Sequence, residues 1–417
     1  MKKIITLICL LSVTGCSSTT APASIVTFVP SSHSSVPKSA PQTIDVDLTA
    51  LTLSDALRLA RETSPALAAA RHKITGQQHR QRAAGQTPNP RVTLGNEKIG
   101  LSQPIVIGGD LQEQRSITDA QLGLAEARFQ QASLAVDAEL RGAFAALLML
   151  QTANEYQQEI VTVSAQCLQT ARLEVEAGES TADVISEKLI TDSKHQAQAE
   201  SISCKLALAQ QQLATLLNVS AQGLAVEGDL SSIVEIPKLE ELLSNIDQIP
   251  LIAESLSRAQ VAKARAKLAY AQAIPDFNLE LFYTDDAQIE AAILFELPLN
   301  SRNNALHSSA KQSQLAAQSE LDLATQQTRI SLQMLRSELE HATEDYSRMH
   351  NVVLAAYLRS YDIASTRFLA GDISEKQLRV ARLSLLNAQI EDLQAWLLMM
   401  QSLQDVRALV KTVPNSN

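Results

Sequence analysis

The sequence predicts a mainly α protein with a small β part, built as two repeats of helix, strand pair and long helical hairpin. Three observations predict it. From Leu111 to Leu217 the chain holds no Pro and reads as two long antiparallel helices reversing at Glu176-Ala177-Gly178-Glu179-Ser180-Thr181. Along its first arm Leu122, Ala125, Phe129, Ala132, Val136, Leu140, Ala143, Leu147 and Leu150 recur at steps of three and four, the seam of a helix packed on helices. Two short segments instead alternate with period two, the signature of strands. The composition agrees: of 417 residues 45% are hydrophobic but only 3% aromatic, which suits Ala- and Leu-rich helices better than a sandwich or an α/β enzyme.

Taken in order, Met1-Lys2-Lys3 and the apolar run Ile4 to Ser12 read as an export signal, too short to span a membrane as a mature helix. It leads into Val13-Thr14-Gly15-Cys16, which resembles a bacterial lipobox; the resemblance implies a lipid on Cys16, and Ser17 after it implies delivery to the outer membrane. The Ser-, Thr- and Pro-rich run that follows has little to bury and is expected to be a tether. No later apolar run reaches the length of a membrane helix. Cys9 leaves with the signal. Cys167 and Cys204 lie at different levels of the first hairpin, nearly 20 Å apart at about 1.5 Å per residue, and are expected to be buried free thiols.

Thr52-Leu53-Ser54-Asp55 caps a first helix, and Ser64-Pro65 starts a second that runs to about Ala84 before Pro88-Asn89-Pro90 ends it. Val92 and Leu94, then Ile99 and Leu101 beyond a turn at Asn96-Glu97-Lys98, form a strand pair with about 7 residues per strand. Gly108-Gly109 closes it ahead of the first long hairpin. Between 218 and 250 the breakers Gly223, Gly228, Pro237 and Pro250 leave room for one short helix around Leu239 to Ile246. The order then recurs: a helix from Ile252 to Ala273, a break at Pro275-Asp276, and a second strand pair. That pair places Phe277, Leu279, Leu281, Tyr283, Ile289, Ala291, Ile293, Phe295 and Leu297 on one face, with about 9 residues per strand. A second arm carries Leu332, Leu335, Leu339, Ala342, Tyr346, Met349, Val353 and Ala356, and reverses at Leu369-Ala370-Gly371-Asp372-Ile373-Ser374. Gly178 and Gly371 stand in equivalent places, where a helix that turns back favours a residue in the left-handed region. The expected divisions are a lipoprotein signal peptide (1–15), a lipid-anchored tether (16–50), a first repeat (51–217, strand pair 91–107), an equatorial linker (218–250), a second repeat (251–410, strand pair 277–299) and a tail (411–417).

A net charge of −10 argues against a nucleic-acid or anionic-lipid surface, which would want clustered Lys and Arg. Catalysis finds no foothold in the residues. The seven His are scattered without H-E-x-x-H, C-x-x-C or a phosphate-cradling Gly loop. His72 and His79 share a helix face without a third ligand, and Asp285, Asp286 and Glu290 sit where solvated turn residues belong. No catalytic residue, metal site or cofactor is expected.

The order of these pieces resembles the TolC-type outer-membrane efflux family over nearly all of the chain, from about Leu51 to Val410. The likeness rests on Leu53-Ser54-Asp55-Ala56-Leu57 with Ser64-Pro65, Pro88-Asn89-Pro90, Leu101-Ser102-Gln103-Pro104-Ile105 with Gly108-Gly109, Ile274-Pro275-Asp276 and Leu297-Pro298-Leu299. The Gln103-Pro104 and Gly108-Gly109 pattern is nearest to the metal-efflux branch. The resemblance implies a homotrimer, its hairpins forming one α-helical barrel across the periplasm and its strands one short β-barrel in the outer membrane. It further implies an exit duct of a tripartite exporter, partnered by a periplasmic adaptor protein and an inner-membrane pump. Gly178, Glu179, Ser180, Thr181, Gly371, Asp372, Ile373 and Ser374 match the tips that meet the adaptor. The short first strand pair departs from a membrane-spanning strand of about 9 to 11 residues. It leaves a second expectation open, a lipid-anchored periplasmic tunnel or structural coiled-coil protein that does not itself cross the outer membrane.

Overall fold

The computed structural model describes residues 48–95, 98–228, 246, 249–284, 288–295 and 302–410. The signal, Cys16 and nearly all of the tether lie outside them, as do most of the short helix expected around Leu239 to Ile246, the turn with Asp285 and Asp286, and Leu297-Pro298-Leu299. Two compact units emerge, one built on 87–108 and 274–299, the other on the rest of the described chain.

The larger unit is helical. Helix α1 (Leu53–Thr63) is capped by the Thr52 hydroxyl, which accepts from the backbone N–H of Asp55 at 3.3 Å, and Ser64 in the same way caps α2 (Pro65–Ala83). Helix α3 (Asp110–Glu176) runs 67 residues without a break, roughly 100 Å at 1.5 Å per residue. Helices α4 (Ala182–Leu217) and α5 (Pro250–Ala271) follow. The second arm is not continuous: α6 (Arg302–Arg348) passes through a π turn at Met349–Leu354 into α7 (Ala355–Leu369), and α8 (Glu375–Leu409) returns.

Helix α3 organises this unit, packing against α2, α4, α5 and α8. Ala145, Met149 and Ala153 of α3, Leu339 of α6, and Leu393, Trp396, Met399, Leu403 and Val406 of α8 make one core cluster centred on the single Trp of the chain. Small residues let helices approach elsewhere: Ala199, Ala209 and Ala214 of α4 are buried, Ala214 completely. Glu254 of α5, itself buried, accepts from Arg128 of α3 at 2.9 Å and from Arg258 one turn along. Before α1, Leu51 pairs in parallel with Val226 through Leu51 N to Ala225 O, Ala225 N to Leu48 O and Glu227 N to Leu51 O, each 3.0 Å. Both thiols are free, but neither is buried as expected: Cys167 is half-buried and Cys204 is exposed, on the side of α4 away from buried Ala199 and Ala209.

The smaller unit is one antiparallel sheet in the order β1 (Arg91–Leu94), β2 (Lys98–Ile105), β3 (Phe277–Thr284), β4 (Ile289–Phe295). The central pairing, β2 with β3 from Lys98↔Thr284 to Ile105↔Phe277, joins the two strand pairs into one surface. The strands are uneven and short: β1 has 4 residues, β2 and β3 have 8 and β4 has 7, against the 7 to 9 expected of each. β1 begins opposite Ser102, so Pro104 falls where β2 has β3 as its sole partner, the setting in which a strand tolerates a missing N–H. No helix among the described residues is long and apolar enough to cross a membrane.

Candidate pore face and hairpin tips

Register sorts the sheet into two unlike faces. Directly opposed residues of antiparallel strands share a face, so Val92, Leu94, Ile99, Leu101, Gln103, Ile105, Phe277, Leu279, Leu281, Tyr283, Ile289, Ala291, Ile293 and Phe295 lie together. All but Gln103 and the hydroxyl-bearing Tyr283 are wholly apolar, and many stand open: Leu94 is 70% exposed and Ile289 78%. The Gln103 amide is turned back onto the backbone, its nitrogen donating to the carbonyls of Pro88 at 3.0 Å and Pro104 at 3.1 Å, which satisfies its donors. The opposite face carries Arg91, Thr93, Lys98, Gly100, Ser102, Asn278, Glu280, Thr284 and Glu290, with Pro104, Phe282, Ala292 and Leu294 as its apolar members. Asp276 of the Pro275-Asp276 break accepts from the Ile107 backbone N–H at 3.1 Å and ties the exit of β2 to the entrance of β3.

The hairpin tips are near copies of one another. At the first, Ala177 N donates to Leu173 O, Gly178 N to Val175 O and Glu179 N to Glu174 O; at the second, Ala370 N donates to Thr366 O, Gly371 N to Phe368 O and Asp372 N to Arg367 O. Gly178 has φ +77° and Gly371 φ +81°, the left-handed residues that let each helix end and the chain reverse. Ser180 and Ile373 are half-buried, whereas Gly178, Glu179, Thr181, Gly371, Asp372 and Ser374 are exposed. Ser374 makes a complete capping box with Gln377, while the Thr181 side chain makes no bond to the backbone N–H groups of α4. Its hydroxyl instead bonds the Asp183 carboxylate, which holds Asp183 below the usual carboxylate range.

Behind the tips, α8 is stitched to α3 by residues that local periodicity does not single out. Lys376 Nζ lies 2.9 Å from Glu174, Arg379 donates to Thr170 Oγ1 at 2.7 Å, and Arg382 forks onto Glu159 at 2.6 and 2.7 Å with its guanidinium 5.3 Å above the Tyr361 ring. The Glu159 hydrogen bonds raise the Arg382 pKa further. At the π turn, His350 Nδ1 comes within 3.1 Å of the buried Asp392 carboxylate, and burial with the Asp392 charge pushes Tyr346 up. Toward the other end of the bundle, burial lowers both Arg141 of α3 and Arg407 of α8, each away from its usual value. Among the described residues no group of His, Cys, Asp and Glu is placed to hold a metal ion.

No protein-family model matches the chain. The cobalt-zinc-cadmium resistance protein CzcC of Cupriavidus metallidurans is 22% identical over 356 residues, covering 82% of this chain and 85% of its own. Among solved structures, CusC, in a study of folding and transmembrane channel formation, superposes with a TM-score of 0.71 at 14% identity, over 86% of this chain and 91% of its own. The open state of the Neisseria gonorrhoeae MtrE outer membrane channel gives 0.71 at 17%, over 86% and 88%. The superpositions span most of each chain, and the chain has the fold of these outer-membrane channels, the TolC-type fold that its order of motifs resembles.

Proposed function

We propose that the protein is the outer-membrane exit duct of a tripartite efflux system, a conduit rather than an enzyme. The observation that carries this reading is the two-faced sheet with open edges. Its apolar face suits lipid and its polar face suits a water-filled lumen, but four strands cannot close around a channel. Three copies supply three times four strands, enough for a barrel in which β1 and β4 lose their free edges. The helices support the same assembly: Leu315, Leu323, Ile330 and Met334 of α6 are all more than half exposed in a single chain, a stripe that neighbouring copies would cover.

In this reading the repeats 51–217 and 251–410 line a periplasmic tunnel. Cys16 carries the lipid that holds the protein in the outer membrane. The tips at Gly178, Glu179, Ser180 and Thr181 and at Gly371, Asp372, Ile373 and Ser374 meet a periplasmic adaptor, which couples the duct to an inner-membrane pump. The relative named for cobalt, zinc and cadmium resistance favours metal ions as cargo.

Strand length supports a second reading. Eight residues at about 3.3 Å, tilted about 40°, cover roughly 20 Å, less than the apolar band of about 25 Å. A tunnel that ends at the membrane would also fit such strands. Native mass spectrometry of the detergent-purified protein, followed by planar-bilayer recording of the same sample, separates the two. The duct predicts a trimer carrying three lipidated N-termini at Cys16 and stable unitary currents. A trimer that is electrically silent favours the tethered tunnel, and a stable monomer removes both.

A further inference from the structure

On the polar face of the sheet, Phe282 is the single aromatic residue among the described ones, and it is not left standing upright. Its cross-strand partner on β2 is Gly100, which is buried; a Cβ there would meet Phe282 Cδ1 and Cε1 at 2.7 Å. Only the absence of a side chain on Gly100 lets the ring lie down on the backbone of β2. Lys98 Nζ sits over the ring, 4.4 Å from its centroid, so the ring is packed by both a strand and an ammonium group. Lys98 pairs with Thr284 one row nearer the turns, and Glu290 opposes Phe282 across β4, so the ammonium is the outermost charge of this face among the described residues.

We propose that Gly100, Phe282 and Lys98 form one layered element of the pore wall that sets the conductance and the ionic preference of the turn end of the channel. The inference rests on the exit-duct reading, in which the polar face lines the lumen. A ring lying flat leaves the lumen wide, whereas the same ring displaced by a side chain at position 100 would project into it. The ring face in turn fixes where the ammonium stands, so a threefold assembly would carry three positive charges at one level of the wall.

Unitary recordings in a salt gradient test this directly. Gly100→Ala is expected to lower the unitary conductance, and Gly100→Ala with Phe282→Ala to restore it, because the second change removes the ring that the first displaces. Lys98→Glu is expected to move the reversal potential toward cation permeation with the conductance nearly kept. Wild-type silence would overturn the exit-duct reading and this element with it. Wild-type currents with Gly100→Ala and Lys98→Glu indistinguishable from wild type would overturn this element alone. Should Gly100→Ala fail to assemble, Lys98→Glu decides, since an exposed side chain next to the turn leaves the strand pairing intact.

Discussion

The two hairpins solve one geometric problem with unequal means. Both reverse through the same three backbone hydrogen bonds and a glycine in the left-handed region. The first has an unbroken ascending helix and a return helix whose cap residue, Thr181, spends its hydroxyl on Asp183. The second interrupts its ascent with the π turn at Met349–Leu354 and starts its return with the Ser374–Gln377 capping box. The tip is therefore dictated by the backbone, while side-chain capping and helix phase are free to differ. The π turn has a local use: one added residue in a turn rotates everything beyond it, and here it brings His350 against Asp392 of α8.

The largest effect on this comparison should come from the place where the two hairpins share a core. Trp396 lies between α3 of the first hairpin and α6 of the second, so Trp396→Ala should cost about 3 to 5 kcal/mol. Denaturant unfolding should show it, and amide exchange should rise in α3 and α8 together; a rise confined to α8 would mean that the hairpins are independent.

A smaller loss is expected at the tips, and an equal one. Nothing lies within 4 Å of a Cβ placed on Gly178 or Gly371, so Gly→Ala at either costs only the left-handed backbone penalty, about 1 to 2 kcal/mol. Matching shifts in unfolding midpoint would confirm that the backbone sets both reversals. Unequal shifts would mean that side chains around one tip share in setting its reversal.

The least change separates the caps. Ser374→Ala should destabilise the start of α8 by about 1 kcal/mol and Thr181→Ala the start of α4 by less, read as local amide exchange. Thr181→Ala should also return the Asp183 carboxyl toward its ordinary range, visible by carboxyl NMR. Its pKa is depressed in the folded chain, so the contribution of that bond is present above the ordinary carboxylate range and fades as pH falls through the depressed value.

Much of this was legible because it is local. Steps of three and four marked α3 and α6, Ser64-Pro65 marked the start of α2, and Gly178 and Gly371 marked the reversals, each from residues within one or two turns. Strand alternation placed Phe277 to Tyr283 and Ile289 to Phe295 on one face, as the register has it. The π turn was not legible: Met349 to Leu354 are acceptable helix residues, and the seam drawn through Met349 and Val353 runs straight across it. Nor could spacing reveal β2 beside β3, or Arg382 on Glu159, since both join residues far apart in the chain and depend on how whole elements pack. Equal division of the first strand pair misjudged both strands, because β1 begins only after Pro90, opposite Ser102, while β2 continues past that level along β3.

The short parallel pairing of Leu51 with Val226 has a mechanical side. Two parallel strands pulled from the N-terminal end of one of them are loaded in shear, so their hydrogen bonds share the force instead of opening one after another. With Leu51 and Leu224 completely buried and Leu48, Leu51, Ala225 and Glu227 linked by three bonds, a tug on the chain ahead of residue 48 would be absorbed there, where α4 has just ended, before it could unwind α1.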